Sequence, residues 1–457
     1  MAGAGYTRAE RVCPVRTVAA GAKGRIGGVR DGGRDGPRGT VAVRTGADGG
    51  PDEWDTGGPR PPARPIVHTG RTRIRRRRRT GQIWESAVTT HDGDKLAAGY
   101  PLLDPLAAVR RPGDPECDVY LTGTVFLDII FTGLDSAPVR GTESWARGMG
   151  SSPGGVANMA TALARLGLRT SLAAAFGDDH YGDYCRDALD RGEGIDLSLS
   201  RTIPGWHSPV TVSMAYEGER TMVSHGHEAP PPEEPAPSCP PPARAAVASL
   251  VPGRRQEWVA ETARRGGRVF ADVGWDDTGR WDPADLAELE HCEAFLPNAE
   301  EAMRYTRTDC PRAAARALAD LVPLAVVTLG SEGAYAVDGR TGETAEVPAI
   351  AVEAMDPTGA GDVFVAGFVT GTLAGWPLAD RLAFAGLTAA LSVQEFGGSL
   401  SAPGWVEIAA WWQHARAYDD QPAGALRRYA FLDRLLPAAA RPWPLRRAVP
   451  TIGFRQA

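Results

Sequence analysis

The stretch Met355-Asp356-Pro357-Thr358-Gly359-Ala360-Gly361-Asp362-Val363-Phe364 constrains this chain more than any other. It follows an apolar, Val- and Ala-rich segment and opens a small-residue run from Val365 to Gly371, so it reads as a glycine turn leading into a helix. Two glycines around Ala360 let successive backbone N–H groups converge with no Cβ in the way. A helix starting there adds its own unpaired N–H groups and the positive end of its dipole. That combination makes an anion hole. Asp362 stands at its mouth, where a carboxylate can take a proton from an incoming hydroxyl. An isolated Asp after a glycine turn is more often a helix cap, so the other parts of a phosphate-handling site must come from elsewhere in the chain.

The surrounding chain has room for one large domain and an extension: 457 residues, 43% of them apolar. Charge is unevenly spread. Residues 1–80 carry 18 Lys and Arg against 7 Asp and Glu, a balance of +11, which leaves −17 for the remaining 377 out of a net −6. Six cysteines are scattered with no CxxC and no His pair at metal spacing, which argues for a reducing compartment and against a zinc or disulfide framework. With no apolar run long enough to span a bilayer and no hydrophobic leader, a cytoplasmic protein is expected.

Residues 1–115 read as a basic, Gly-, Arg- and Pro-rich extension and linker with too little apolar periodicity to order itself, apart from one short helix near Lys95–Val109. The run Arg75 to Arg79 could touch nucleic acid, but without interleaved aromatics a solvated tail is the better reading. Order is expected from Cys117, in a domain spanning 116–436 followed by a tail over 437–457. Asp118 to Ile130 reads as a buried strand, a glycine turn and a second strand beginning near Asp128, a carboxylate that needs a partner in so apolar a setting. Pro153-Gly154-Gly155 opens a helix that runs to Leu166, with Gly167 as its C-terminal stop. A strand over Thr170–Phe176, the turn Gly177-Asp178-Asp179 and a helix over Tyr181–Arg191 come next. The segments 210–216 and 220–224 flank Glu217-Gly218-Glu219 as a hairpin, and residues 229–243, with eight prolines, form an extended surface loop.

From Ala245 the pattern alternates: strand 246–250, helix 254–265, strand 268–273 ending in Asp272, a strand end at Phe295-Leu296, helix 313–321 and strand 324–329. This rhythm implies a mostly parallel sheet with helices on both faces and ligands at the carboxyl ends of the strands. Asn298-Ala-Glu-Glu301 has the spacing of a capping box. Thr328-Leu-Gly330-Ser-Glu-Gly333 reads as a strand end and tight turn before a hairpin return.

Asp-x-Thr-Gly-Ala-Gly-Asp at 356–362 resembles the C-terminal signature of the PfkB (ribokinase-like) carbohydrate kinases. The Gly154-Gly155-x-x-Asn158 turn, with its helix ending in Leu-Gly and the Gly-Asp-Asp turn beyond, resembles their N-terminal signature. The resemblance extends from Cys117 to about Pro403. It implies a ribokinase-like α/β fold, doubly wound around a mostly parallel sheet, with the hairpin forming a small β lid over the substrate. It implies an ATP- and Mg²⁺-dependent kinase acting on a hydroxyl of a sugar or nucleoside, with Asp362 as base and Gly359, Ala360 and Gly361 as the anion hole. Asp128, Gly154, Gly155 and Asn158 would contact substrate. Asn298 and Glu301 would serve the Mg²⁺ and phosphate region, and Thr328, Gly330 and Gly333 would border the nucleotide. Asp356, Thr358, Ser392, Glu395, Gly397 and Ser401 map onto a monovalent cation site, K⁺ by family habit. Lid strands in the family pair between subunits, so a homodimer is expected. A non-catalytic sugar or nucleotide sensor is the competing class, but retention of the base argues against it.

Overall fold

The computed structural model describes residues 103–216, 219–231, 240–418, 424–436 and 447–448. The basic N-terminal segment up to residue 102, the centre of the Pro-rich loop and nearly all of the C-terminal tail lie outside the described residues. The chain begins with β1 (Cys117–Thr122), β2 (Val125–Leu134), β3 (Gly148–Gly155) and α1 (Val156–Arg165), then β4 (Thr170–Ala173), β5 (Ala175–Gly177) and α2 (His180–Asp187). β6 (Arg201–Ile203), β7 (Val210–Tyr216), β8 (Glu219–His225), β9 (Ala243–Leu250), α3 (Glu257–Arg264) and β10 (Arg268–Val273) follow. Next are β11 (Ala294–Phe295), α4 (Ala299–Thr306), α5 (Pro311–Leu318), β12 (Leu324–Thr328), β13 (Ala334–Asp338) and β14 (Thr344–Val347). The chain closes with α6 (Ala360–Leu373), α7 (Leu378–Ser392), α8 (Trp405–Ala417) and the short α9 (Ala425–Tyr429) and α10 (Leu432–Leu435).

The main sheet has the order β14-β13-β12-β11-β10-β9-β1-β4. It is parallel from β4 to β12, and β13 and β14 return antiparallel. Its strands are buried on both faces, and the period of two sorts their side chains. Val269, Ala271 and Val273 of β10 pack with α3, α4 and α5, whereas Phe270 faces the other way, into the core shared with α1, α6, α7 and α8. On β12, Ala325 and Val327 take the first face and Leu324 and Val326 the second. Helices on both faces of a largely parallel sheet are the doubly wound arrangement expected from the sequence. A second sheet, β3-β2-β7-β8, carries the lid hairpin.

Three local findings differ from the sequence reading. β3, running Gly-Met-Gly-Ser-Ser-Pro-Gly-Gly, was not anticipated, because glycine, serine and proline carry almost no strand signal. It forms by pairing antiparallel along β2 from Val125–Gly155 to Thr132–Gly148. The single strand expected over 170–176 breaks at Ala174, so that β4 joins the main sheet and β5 pairs with β6. Upstream of Cys117 the chain makes a turn rather than a helix at 105–109, and it belongs to the folded body: Leu103 and Leu106 are buried in the main core. Arg110 fastens this segment by donating to both carboxylate oxygens of buried Asp118 at 2.6 and 2.8 Å, and Arg169 donates to the same carboxylate. These guanidinium donors hold Asp118 below the usual carboxylate range despite its burial.

One buried ion pair braces the site from behind. Arg165, at the end of α1, binds Glu193 through two nitrogens at 2.9 and 2.7 Å and donates to the carbonyls of Leu400 and Ala402. It therefore ties α1 to the Gly397–Ala402 segment. Among the described residues no helix is long and apolar enough to cross a membrane.

Candidate active site

The site forms where the N-termini of α1 and α6 meet the inner face of the lid sheet. Gly359 is the N-cap of α6 with φ of 76°, a conformation an L side chain adopts only under strain, and no side chain caps this helix end. The ladder begins with the Val363 N–H donating to the Gly359 carbonyl at 2.9 Å. No protein side chain covers this helix end, and of its first N–H groups that of Ala360 turns back to the Pro357 carbonyl at 3.3 Å. Gly361 is exposed, and a Cβ built on it would meet nothing within 4 Å. The space in front of the helix is open.

Asp362 sits one residue further on, half-buried, and its Oδ2 accepts a 2.9 Å hydrogen bond from Nδ2 of buried Asn158. The bond fixes the Asn158 amide with its oxygen turned away, and that oxygen has no partner although it is fully buried. Burial pushes the Asp362 carboxyl up to about 6, with Asn158 and Arg220 pulling the other way. A carboxylate in that range is ionised at neutral pH yet basic enough to accept a proton.

Asp128 faces this pair from the middle of β2, flanked across the sheet by Ser152 and Thr211. It is buried, and a Cβ on Gly154 would fall inside its carboxylate, so glycine there is what lets the Asp occupy its place. Burial first, then the nearby Asp356 and Asp362, raise the Asp128 carboxyl to about 7, while Arg220 lowers it. Ser152 Oγ is another buried polar atom with no partner. An acidic group and two buried polar atoms without partners, both close to Gly398, supply the kind of groups that hydrogen-bond hydroxyls.

Asp356 is buried beneath the turn, accepting from the Thr358 N–H at 2.9 Å and the Gly397 N–H at 3.3 Å. Of the other residues mapped to a cation, the Ser392 hydroxyl donates to its own helix at Ala389 and the Ser401 hydroxyl to Gly398, while Glu395 is exposed. Asp356, Thr358 and Gly397 are therefore joined directly, and the remaining three are not hydrogen-bonded to them.

Asn298 and Glu301 form the complete capping box: the Asn298 side chain accepts from the Glu301 N–H at 3.0 Å and Glu301 from the Asn298 N–H at 2.9 Å. Asn298 also bridges to Thr328 at the end of β12. Gly330 and Gly333 bound the single 3₁₀ turn beyond it. Gly333 is required for packing, since a Cβ there would strike the Val347 carbonyl, whereas Gly330 faces open space.

Three residues absent from the sequence reading of the site belong to it. Arg220 reaches from β8 of the lid to donate to Thr358 Oγ1 at 2.8 Å, and its charge acts on both Asp128 and Asp362. Nothing in an exposed hairpin strand signals a contact to a residue 138 positions on. Ser152 lies on the unanticipated β3. Asp272 did carry a signal, ending a buried strand at the carboxyl edge of the sheet. Desolvation and repulsion from Asp362 and Glu301 raise its carboxyl well above the usual range.

With this geometry in place, similarity to known proteins becomes decisive. Residues 122–405 match the pfkB family carbohydrate kinase domain. The chain belongs to the pfkB family of carbohydrate kinases. Among pfkB relatives, a ribokinase of Schizosaccharomyces pombe is 36% identical over 140 residues, which is 28% of this chain and 44% of that protein. A nucleoside kinase of Methanothermobacter thermautotrophicus is 27% identical over 299 residues, covering 63% of this chain and 92% of that one. Among solved structures, Arabidopsis thaliana ribokinase in complex with ribose and ATP aligns with a TM-score of 0.55 and 25% identity over 65% of this chain and 98% of that one. The family and the ribokinase fold anticipated from the motifs are thus both found.

Proposed function

We propose that the protein transfers the γ-phosphoryl group of ATP to a hydroxyl of a sugar or sugar-containing metabolite. The observation that carries this reading is the pairing of Asp362 with Asn158 at the open, uncapped start of α6, directly across from Asp128. A sensor needs an anion hole and a sugar pocket, but it has no use for a carboxylate tuned to about 6 beside them. Similarity to ribokinases, one of them solved with ribose and ATP, supports the same assignment.

In this mechanism Asp128, Ser152 and the free Asn158 oxygen orient the substrate hydroxyls. Asp362 accepts the proton of the attacking hydroxyl. The N–H groups of Gly359, Ala360 and Gly361 stabilise the charge on the transferring phosphoryl, and Arg220 adds a positive charge from the lid. The charges of Asp362 and Glu301 both raise the Asp272 carboxyl, so a hard divalent cation near these acids would relieve that repulsion. Mg²⁺ held near Asn298 and Glu301 would neutralise phosphate charge. Thr328, Gly330 and Gly333 would line the nucleotide at the end of β12. Asp356, Thr358, Ser392, Glu395, Gly397 and Ser401 would supply oxygens for a monovalent cation, since the Ser392 and Ser401 hydroxyls donate their hydrogens elsewhere and keep lone pairs for a metal. Exposed Met149 and Val223, on the face of the lid sheet opposite Asp128, give the lid an apolar surface through which a homodimer would pair.

A nucleoside kinase is the second reading, favoured by the near-complete coverage of the archaeal relative. ATP turnover with Mg²⁺ against a panel of free sugars and nucleosides separates the two. Stimulation by one class selects it, and absence of turnover with every substrate while ATP still binds counts against the kinase reading.

A further inference from the structure

Away from the cleft, three of the chain's eight histidines converge at the base of the lid. His207 lies in the connection between β6 and β7, His225 is the last residue of β8, and His227 stands two positions beyond it. A ring nitrogen from each lies within 4.8 Å of one from both others. The His207 and His225 rings stack with centroids 5.1 Å apart, and His227 meets them edge-on at 4.9 and 5.2 Å.

The backbone beneath these rings is fixed on both sides. Ser208, next to His207, donates from its N–H and its hydroxyl to Asp179, the N-cap of α2, at 2.7 and 3.0 Å. The Pro209 carbonyl accepts from the Leu127 N–H of β2 at 2.9 Å. Val210 pairs with His225 across the hairpin. His207 is the least exposed of the three, and His225 and His227 are exposed. Among the described residues none of the three is in an ion pair, and the adjacent Glu228 instead faces Arg254 at 3.6 Å.

From this arrangement we infer a binding site for a late first-row divalent metal, of the Zn²⁺, Ni²⁺ or Cu²⁺ class, held by His207, His225 and His227. Three neutral imidazoles with neither carboxylate nor thiolate select borderline metals and give hard Mg²⁺, Ca²⁺ or K⁺ nothing they prefer. Tetrahedral Zn²⁺ with Zn–N bonds near 2.0–2.1 Å needs ligand nitrogens about 3.3 Å apart. Closing that gap requires the two exposed rings to turn about their side-chain bonds. Two histidines at i and i+2 at a strand end project to one side, and the third comes from the body of the protein. A bound metal therefore pins the end of β8, the strand that carries Arg220 to the cleft, onto the loop anchored by α2. Its fourth position faces solvent and takes a water. The site is independent of the phosphoryl-transfer reading.

The test uses the full-length, tag-free protein stripped of metal with a chelator. Zn²⁺ alone is titrated calorimetrically, and Co²⁺ is followed by its visible absorption. The expected result is saturable binding of one equivalent, an intense tetrahedral-type Co²⁺ spectrum, no competition from Mg²⁺, and a higher Tm with Zn²⁺ bound. His225→Ala and His227→Ala, at exposed positions that leave the fold intact by circular dichroism, are each expected to weaken binding at least about tenfold, in line with the loss of a metal ligand. His291→Gln, a histidine outside the cluster, should change nothing. Absence of saturable Zn²⁺ binding, or unchanged affinity in the His225→Ala/His227→Ala double variant, would overturn the assignment.

Discussion

The two glycine turns that open α1 and α6 each place a positive-φ glycine at the N-cap, Gly155 at 63° and Gly359 at 76°, and differ in what surrounds the other glycine. In Pro153-Gly154-Gly155 the protein itself leaves no room: a Cβ at Gly154 collides with the Asp128 carboxylate, and one at Gly155 with the Thr124 carbonyl. In Thr358-Gly359-Ala360-Gly361 the backbone needs Gly359 for its positive φ, yet the second glycine borders empty space. At the first turn, glycine makes room for a side chain of the protein. At the second, Gly361 keeps the surface in front of the helix free of side-chain atoms. The proposed phosphoryl transfer, carried by the Asp362–Asn158 pair, uses the second turn.

Gly154→Ala is the harshest way to probe the comparison. The new methyl must displace Asp128, so KM for the phosphoryl acceptor should rise by roughly a hundredfold, as a misplacement of about 1 Å does elsewhere, with a fall in Tm. Steady-state kinetics alongside thermal unfolding checks this, and an unchanged KM would mean Asp128 does not grip the substrate. Gly361→Ala should separate the same two readouts. No neighbour meets the methyl and alanine favours a helix, so Tm should hold or rise slightly while kcat/KM falls by about tenfold or more. If activity survived, the open space would not be where the phosphoryl sits.

Arg220→Ala sharpens the comparison electrostatically. Arg220 lowers the affinity of both Asp128 and Asp362 for protons, so its removal should move the acid limb of the pH–rate profile to higher pH. The sign follows from the role of a base: protonation at low pH inactivates it, and a carboxyl with a higher pKa is inactivated sooner. A shift of one unit lowers activity about tenfold on the acid side of the limb and leaves the alkaline plateau intact apart from lost phosphate binding. The smallest effect belongs to Asn298→Ala. It deletes one half of the α4 capping box and should cost about 1 kcal/mol in chemical denaturation.

Much of the fold could be read from the sequence because its strongest elements obey a period. The buried run observed at Leu324–Thr328 and the small-residue helix after the first glycine turn were read within a residue or two of their observed ends, and the second turn was read as opening a helix, as it does. β3 could not be, since its residues have no strand preference and pair only because β2 offers an edge. The site was legible in pieces. Asp128, Asn158 and Asp362 could be named from their motifs, but the hydrogen bond between Asn158 and Asp362 joins residues 204 apart and exists only once α1 and α6 pack together. Arg220 and the histidine cluster were hidden for the same reason. Each depends on where the hairpin folds back, which local spacing does not encode.

The most direct measurement is turnover by Asp362→Asn beside the unmodified protein over the acid pH range, with ATP and acceptor affinity measured separately. In the unmodified protein kcat/KM, which reports the free enzyme, should rise with pH through a midpoint near 6 and then level off. In the variant, which keeps an amide of the same shape, both ligands should bind while kcat drops by roughly 10²–10⁴ and the limb disappears. A variant turning over within about tenfold of the unmodified protein, with the limb still present, would contradict the assignment of Asp362 as the base.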